Sequence, residues 1–90
     1  MDNFINDSKV FKALCDENRL YILDLMKNGE ICVCKLIEIT NIKQSRLSYH
    51  MKILVDSGVV NLRSEGKWNY YSINDNSRNN VISLLKKYLK

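Results

Sequence analysis

The stretch Lys43 to Val55, KQSRLSYHMKILV, constrains this chain most, because two incompatible faces are written into one helical period. Leu47, Met51 and Leu54 recur at i, i+4 and i+7, a stripe that must be buried against other elements. Gln44, Ser45, Ser48, Tyr49 and Lys52 share the opposite face. Short amides and hydroxyls beside a cation are the groups that read base edges and hold a phosphate, whereas an ordinary solvated helix carries a lattice of Glu and Lys. Such a helix needs a scaffold on one side and leaves the other free for solvent or a duplex.

Asp56-Ser57-Gly58 ends that helix. Val59 to Arg63 (VVNLR) and Trp68 to Ile73 (WNYYSI) then alternate and are rich in β formers, with Ser64-Glu65-Gly66-Lys67 as the loop between them. The pattern predicts a β-hairpin whose tip presents Arg63 and Lys67 around a glycine, where cations approach a phosphate backbone. Trp68 and Tyr70 are expected to pack in the core. Taken alone, these charges are equally well explained as keeping a hairpin soluble; behind a helix-turn-helix the hairpin makes a wing.

Upstream, Asn3 to Leu14 is predicted helical, with Phe4, Val10, Phe11 and Leu14 as a partial stripe. Asp16 is a plausible N-cap for a second helix, Glu17 to Asn28, dense enough in Leu and Ile to predict a central core helix stopped by a left-handed Gly29. Glu30 to Thr40, EICVCKLIEIT, is open between an extended start and a helix. Asn41-Ile42 breaks it, and the pair of short helices flanking that break is the helix-turn-helix pattern. At the other end, Asp75 or Asn76 caps a last helix in which Val81, Leu84, Leu85 and Tyr88 form a stripe. That stripe packs either on the first helix or on a second copy of the chain, and a two-fold dimer is favoured because it presents two reading helices to two half-sites.

Ninety residues make one small domain, residues 1–90. The net charge of +4 is unevenly placed: nine Lys/Arg against three Asp/Glu from Lys43 onward, but five against seven before it. The basic half holds the reading helix, as a polyanionic partner requires. No apolar run approaches the roughly 20 residues of a membrane span, and MDNFINDSK lacks the features of a signal peptide, so a cytoplasmic location is expected. One histidine, His50, expected at the DNA or solvent surface, and no phosphate-binding glycine motif leave no visible catalytic equipment, so an enzyme is not expected.

Three cysteines do not make a disulfide scaffold. In CVC, Cys32 and Cys34 lie near a predicted helix N-terminus, where the dipole stabilises thiolates, the form that binds soft ions. On a regular helix, residues two apart point about 200° from one another, so both sulfurs reach one ion only if the first turn is irregular. Cys15, at the junction of the first two helices, is either a third ligand or a small buried hydrophobe.

Together these segments resemble the ArsR/SmtB family of winged-helix transcriptional repressors. FKALCDENRLYIL is similar to that family's entry into its second helix, QSRLSYHMKIL to its recognition helix, DSGVVNLRSEGKWNYYSI to its wing, and EICVCKL to its metal box. The resemblance implies a mainly α fold with a β-hairpin wing, and a homodimer joined through the terminal helices. It further implies a repressor that leaves double-stranded operator DNA when an inducer ion binds. Gln44, Ser45, Ser48 and Tyr49 match its groove-facing positions, and Arg63 and Lys67 its wing; Tyr49 stands where histidine is frequent, with His50 following. Regulatory As(III)/Sb(III) or Cd(II)/Pb(II) at Cys32, Cys34 and Cys15 is expected, with no permanent cofactor. Ile37 replaces the third cysteine of arsenite-responsive members, and the last helix lacks the His and carboxylates of the family's other metal site. A thiol redox-sensing repressor, or a protein-interaction module with inert cysteines, remains an alternative.

Overall fold

The computed structural model describes residues 2–90. Its elements run α1 (Asp2–Leu14), α2 (Glu17–Leu25), β1 (Ile31–Cys32), α3 (Val33–Thr40), α4 (Gln44–Asp56), β2 (Val60–Glu65), β3 (Trp68–Ile73) and α5 (Ser77–Tyr88). Among the described residues no helix is long and apolar enough to cross a membrane.

Local chemistry sets most of the boundaries. Asp16 is extended and its Oδ1 accepts from the amides of Asn18 (2.8 Å) and Arg19 (3.1 Å), removing two of the unpaired N–H groups that open α2. This helix is shorter than expected, ending at Leu25; Met26 to Asn28 form turns, and Gly29 has φ 138°, not the left-handed helical value of a cap. The open stretch after Glu30 takes both forms in succession, two extended residues and then α3. Asn41, at φ 56° and ψ 23°, supplies the left-handed cap of α3. Thr40 Oγ1 accepts from the Ile42 amide at 3.2 Å, and three residues, 41–43, turn the chain into α4.

The sheet is antiparallel, in the order β1-β3-β2. Ser64 and Glu65, expected in the loop, belong to β2 opposite Asn69 and Trp68, so the turn is only Gly66-Lys67. In that tight connection the positive φ (61°) falls on glycine, where no Cβ opposes it.

Val10 and Ala13 of α1, Ile22 and Met26 at α2, Leu36 of α3, the Leu47/Met51/Leu54 stripe of α4, Val59, Val60, Tyr71 and Leu84 form the core. The core differs from expectation at α2 and at β3. Helix α2 is not wrapped by protein: Leu20 and Tyr21 are exposed, while Arg19 and Ile22 point inward. On β3 the buried aromatic is Tyr71, whereas Trp68 is 48% exposed and Tyr70 half-buried. With β formers on both faces of WNYYSI, alternation alone does not choose the phase. Helix α5 packs on the chain's own α1: the Tyr88 ring lies 6.4 Å from Phe4 and 6.5 Å from Phe11. Its hydroxyl donates to Asp7 at 2.5 Å, as does Lys87 Nζ at 2.9 Å.

One buried polar group joins three helices. Arg19, 8% exposed, donates Nε to the Ala13 carbonyl (2.9 Å), NH2 to that of Lys12 (3.0 Å) and NH1 to His50 Nδ1 (3.0 Å). His50 is 2% exposed, contrary to its expected surface position. Burial holds it below the usual histidine range; Asp16 opposes that shift, and Arg19 and Arg46 reinforce it. The unfolded chain therefore takes up the proton first, so stability is full above the ordinary histidine pKa and declines as pH falls through it toward the lower folded value. Urea denaturation is expected to show a lower midpoint at pH 5.5 than at 7.5, and His50→Gln, which keeps an acceptor for Arg19, should shrink that difference. Arg19→Met should cost about 2–4 kcal/mol at either pH, because the Ala13 carbonyl and the His50 imidazole lose their donor while the Lys12 carbonyl keeps only the Cys15 N–H.

Candidate nucleic-acid interface and thiol pair

Burial of Leu47, His50, Met51 and Leu54 turns the polar side of α4 outward. Lys43, at the N-cap, and Gln44, Ser45, Ser48, Tyr49 and Lys52 are all exposed, Tyr49 at 62%. The structure thus brings six of the eight expected DNA-contacting residues onto one accessible helix. Lys52 is paired with Asp56 at 3.2 Å, an exposed pair that a phosphate can replace. Arg46, overlooked in the sequence reading, is also exposed on α4; with Lys43, Ser45, Tyr49 and Asp16 it lines a cleft of about 590 Å³ beside the start of α2. Its charge on the flank of the stripe was the available signal.

The two wing residues sit differently from expectation. Lys67 occupies the turn, its ammonium 5.7 Å from the centre of the Trp68 ring. Arg63 is not at the tip but within β2 opposite Tyr70, whose ring it overlies at 4.5 Å. It is also ion-paired to Glu30 and Glu65, whose carboxylates hold its guanidinium even more firmly protonated than usual. Glu30, 33 residues away in sequence, carried no pairwise signal.

The thiol pair converges. Cys32 is the extended N-cap of α3 (φ −73°, ψ 144°) and Cys34 lies in its first turn, with the two sulfurs 2.7 Å apart. The 200° divergence expected on a regular helix does not apply, because Cys32 lies outside the helix. The Cys34 thiol and the backbone N–H groups of Cys34 and Lys35 favour the Cys32 thiolate and hold its pKa below the ordinary thiol value. Cys34 is pushed up, since it shares its proton with Cys32 and faces that negative charge. The pair therefore carries one charge readily and the second reluctantly.

Cys15 is exposed in the α1–α2 connection and is no buried hydrophobe. It borders a cleft with Lys9, Lys12, Tyr49 and Ile53 instead. Among the described residues no three metal-binding side chains come together, so the fold does not bring Cys15 to the pair within one chain.

Residues 16–61 match the bacterial regulatory proteins of the arsR family. An arsenical resistance operon repressor from Bacillus subtilis is 46% identical over 74 residues, covering 81% of this chain and 70% of the repressor. A cadmium resistance transcriptional regulatory protein homolog from Staphylococcus aureus is 40% identical, covering 81% and 61%. Among solved structures, a homodimeric winged helix-turn-helix DNA-binding domain from Mycobacterium bovis aligns with a TM-score of 0.78 and 29% identity over 96% of this chain and 80% of its own.

The sulfur geometry makes a testable statement about reactivity. Alkylation by iodoacetamide, followed by mass spectrometry across pH, should modify Cys32 at lower pH than Cys34. Cys34→Ala should raise the Cys32 midpoint; an unchanged midpoint would show that Cys34 does not support the thiolate.

Proposed function

Because this chain belongs to the ArsR family of bacterial regulatory proteins, we propose that it is a cytoplasmic, homodimeric repressor of the arsenical and cadmium resistance type. In this reading it leaves its operator when a thiophilic ion is captured by Cys32 and Cys34. The observation that carries the reading is the convergence of those two sulfurs at the N-terminus of α3, the helix that leads through three residues into α4.

The whole chain acts as one DNA-binding domain. Gln44, Ser45, Ser48 and Tyr49 face base edges in the major groove, while Lys43, Lys52 and Lys67 hold phosphates on either side, joined by Arg63 when its carboxylate partners let it go. Soft, polarizable donors suit As(III), Sb(III), Cd(II) or Pb(II), and Cys32 already favours the thiolate. With arsenous acid each thiol displaces one hydroxide, and its proton leaves with that hydroxide as water. Two sulfurs do not complete the ligand set of these ions, and Cys15 of a second copy is the remaining thiol of the chain. Because Cys32 anchors the start of α3, ligation that moves or stiffens this turn favours one of two arrangements of the helix pair, and DNA the other.

The dimer rests on α1 and α5, which pack together yet leave Phe4, Ile5, Ile82, Leu85 and Leu89 exposed. An apolar surface of this kind on two adjacent terminal helices matches a two-fold contact. Leu85→Glu should shift the protein to monomer in sedimentation velocity with its helical content unchanged, and weaken operator binding at least about tenfold through loss of the second half-site.

The function itself is tested on the promoter DNA preceding the gene. Affinity should fall steeply with salt, and arsenite, antimonite, cadmium or lead should release the complex under reducing conditions. Cys32→Ser and Cys34→Ser should each keep DNA binding and lose release; no preference for that DNA over random duplex would remove the repressor reading. Release by diamide without any ion would identify redox sensing instead.

A further inference from the structure

Glu30 stands between the thiol pair and the wing. Its carboxylate takes Arg63 in a two-pronged contact, Nε to Oε2 at 3.0 Å and NH2 to Oε1 at 2.8 Å, while Glu65 takes NH1 at 2.7 Å. Two carboxylates thus more than offset the single charge of Arg63, and the Tyr70 ring covers one face of the guanidinium at 4.5 Å. A phosphate reaching for Arg63 has to displace a carboxylate first. Because these groups are exposed, the displacement is inexpensive while Glu30 is free to move.

Its position is tied to the strand that carries the first thiol. Glu30 directly precedes β1, a strand of two residues whose second is Cys32. Cys32 is registered opposite Tyr70, and Tyr70 is in turn registered opposite Arg63. Cysteine, tyrosine and arginine therefore lie in one row across the three strands, with Glu30 closing the row back onto Arg63.

We propose that Glu30 is a latch on Arg63: it holds the wing's guanidinium off the DNA backbone, and capture of an ion by Cys32 and Cys34 fixes β1 so that the latch stays closed. The inference rests on the repressor reading above and adds the residue through which the thiol site acts on the wing. Ion and DNA then oppose one another because the ion favours the latched arrangement and the duplex the unlatched one. Glu65, next to the Gly66-Lys67 turn, lacks this link to the thiols.

The test uses Glu30→Gln, which keeps the size and hydrogen-bonding capacity of the side chain and removes its charge. Operator affinity should rise about three- to tenfold, and the slope of log affinity against log salt should steepen by about one, as one further phosphate contact forms. Arsenite should release this variant less completely than the parent. In an Arg63→Gln background, Glu30→Gln should change neither affinity nor slope. A readout without DNA separates the latch from the repressor reading: in 15N-labelled protein, arsenite should slow exchange of the Arg63 Nε–H with water, and Cys32→Ser should abolish that response. Parental affinity and salt slope in Glu30→Gln, or Arg63 exchange indifferent to arsenite, would overturn the latch while leaving repression intact. Failure of the parent protein to bind operator would instead strike at the repressor reading, with Arg63 exchange still reporting on the latch.

Discussion

The Arg19 guanidinium is the contact on which the rest of this small domain depends. Its five N–H groups answer a problem that the chain creates at the end of α1, where the last carbonyls have no helical partner. Two of them, Lys12 and Ala13, accept from Arg19, and the same side chain reaches His50 on α4. Because arginine only donates, His50 Nδ1 must accept, so the imidazole is neutral with its proton on Nε2, a buried atom with no partner in the described residues. A buried N–H of that kind costs about 1–3 kcal/mol, tolerable because the Arg19 bonds set the rotation of the reading helix about its axis. The outward face of α4 is outward partly because His50 is held inward.

A second constraint is the brevity of β1. Two residues suffice to pair with β3, yet they include the N-cap of α3 and one of the two thiols. A longer strand would hold the two side chains about 6–7 Å apart along one face of the sheet, and a regular helix from the start would turn the sulfurs apart. The switch from extended to helical backbone at Cys32 is what lets residues two apart meet. It also connects the thiol pair to both elements proposed to contact DNA, the hairpin through the sheet and α4 through α3.

Residue by residue, sequence and structure agree where neighbours along the chain decide and part where distant groups decide. The apolar stripe of α4, the Asp16 cap and the break at Asn41 were legible because each is a relation among residues one or two helical turns apart at most. His50 was assigned to the surface because it lies beside polar residues; its partner Arg19 is 31 residues away. Arg63 was placed at a hairpin tip because Ser64 and Glu65 are poor strand formers, but pairing with β3 and the bond to Glu30 draw them into the strand. The Leu and Ile density of α2 predicts a core helix, and only the placement of α1 and α4 shows that Leu20 lies on the uncovered side.

The sequence alone determined the kinds of element, their order, the polar outer face of α4, the closeness in the chain of Cys32 and Cys34, and the kinship with ArsR regulators. These follow from periodicity, capping and motif spacing, which act over a few residues and survive in any context. Tertiary structure alone decided that the two sulfurs point together, that Cys15 stands apart from them, that Tyr71 rather than Trp68 enters the core, and that Glu30 holds Arg63. Each of those is a choice of direction for a side chain on a short element. Such a choice is made by packing and charge across the fold, where the contributing residues lie tens of positions apart and no local period records them.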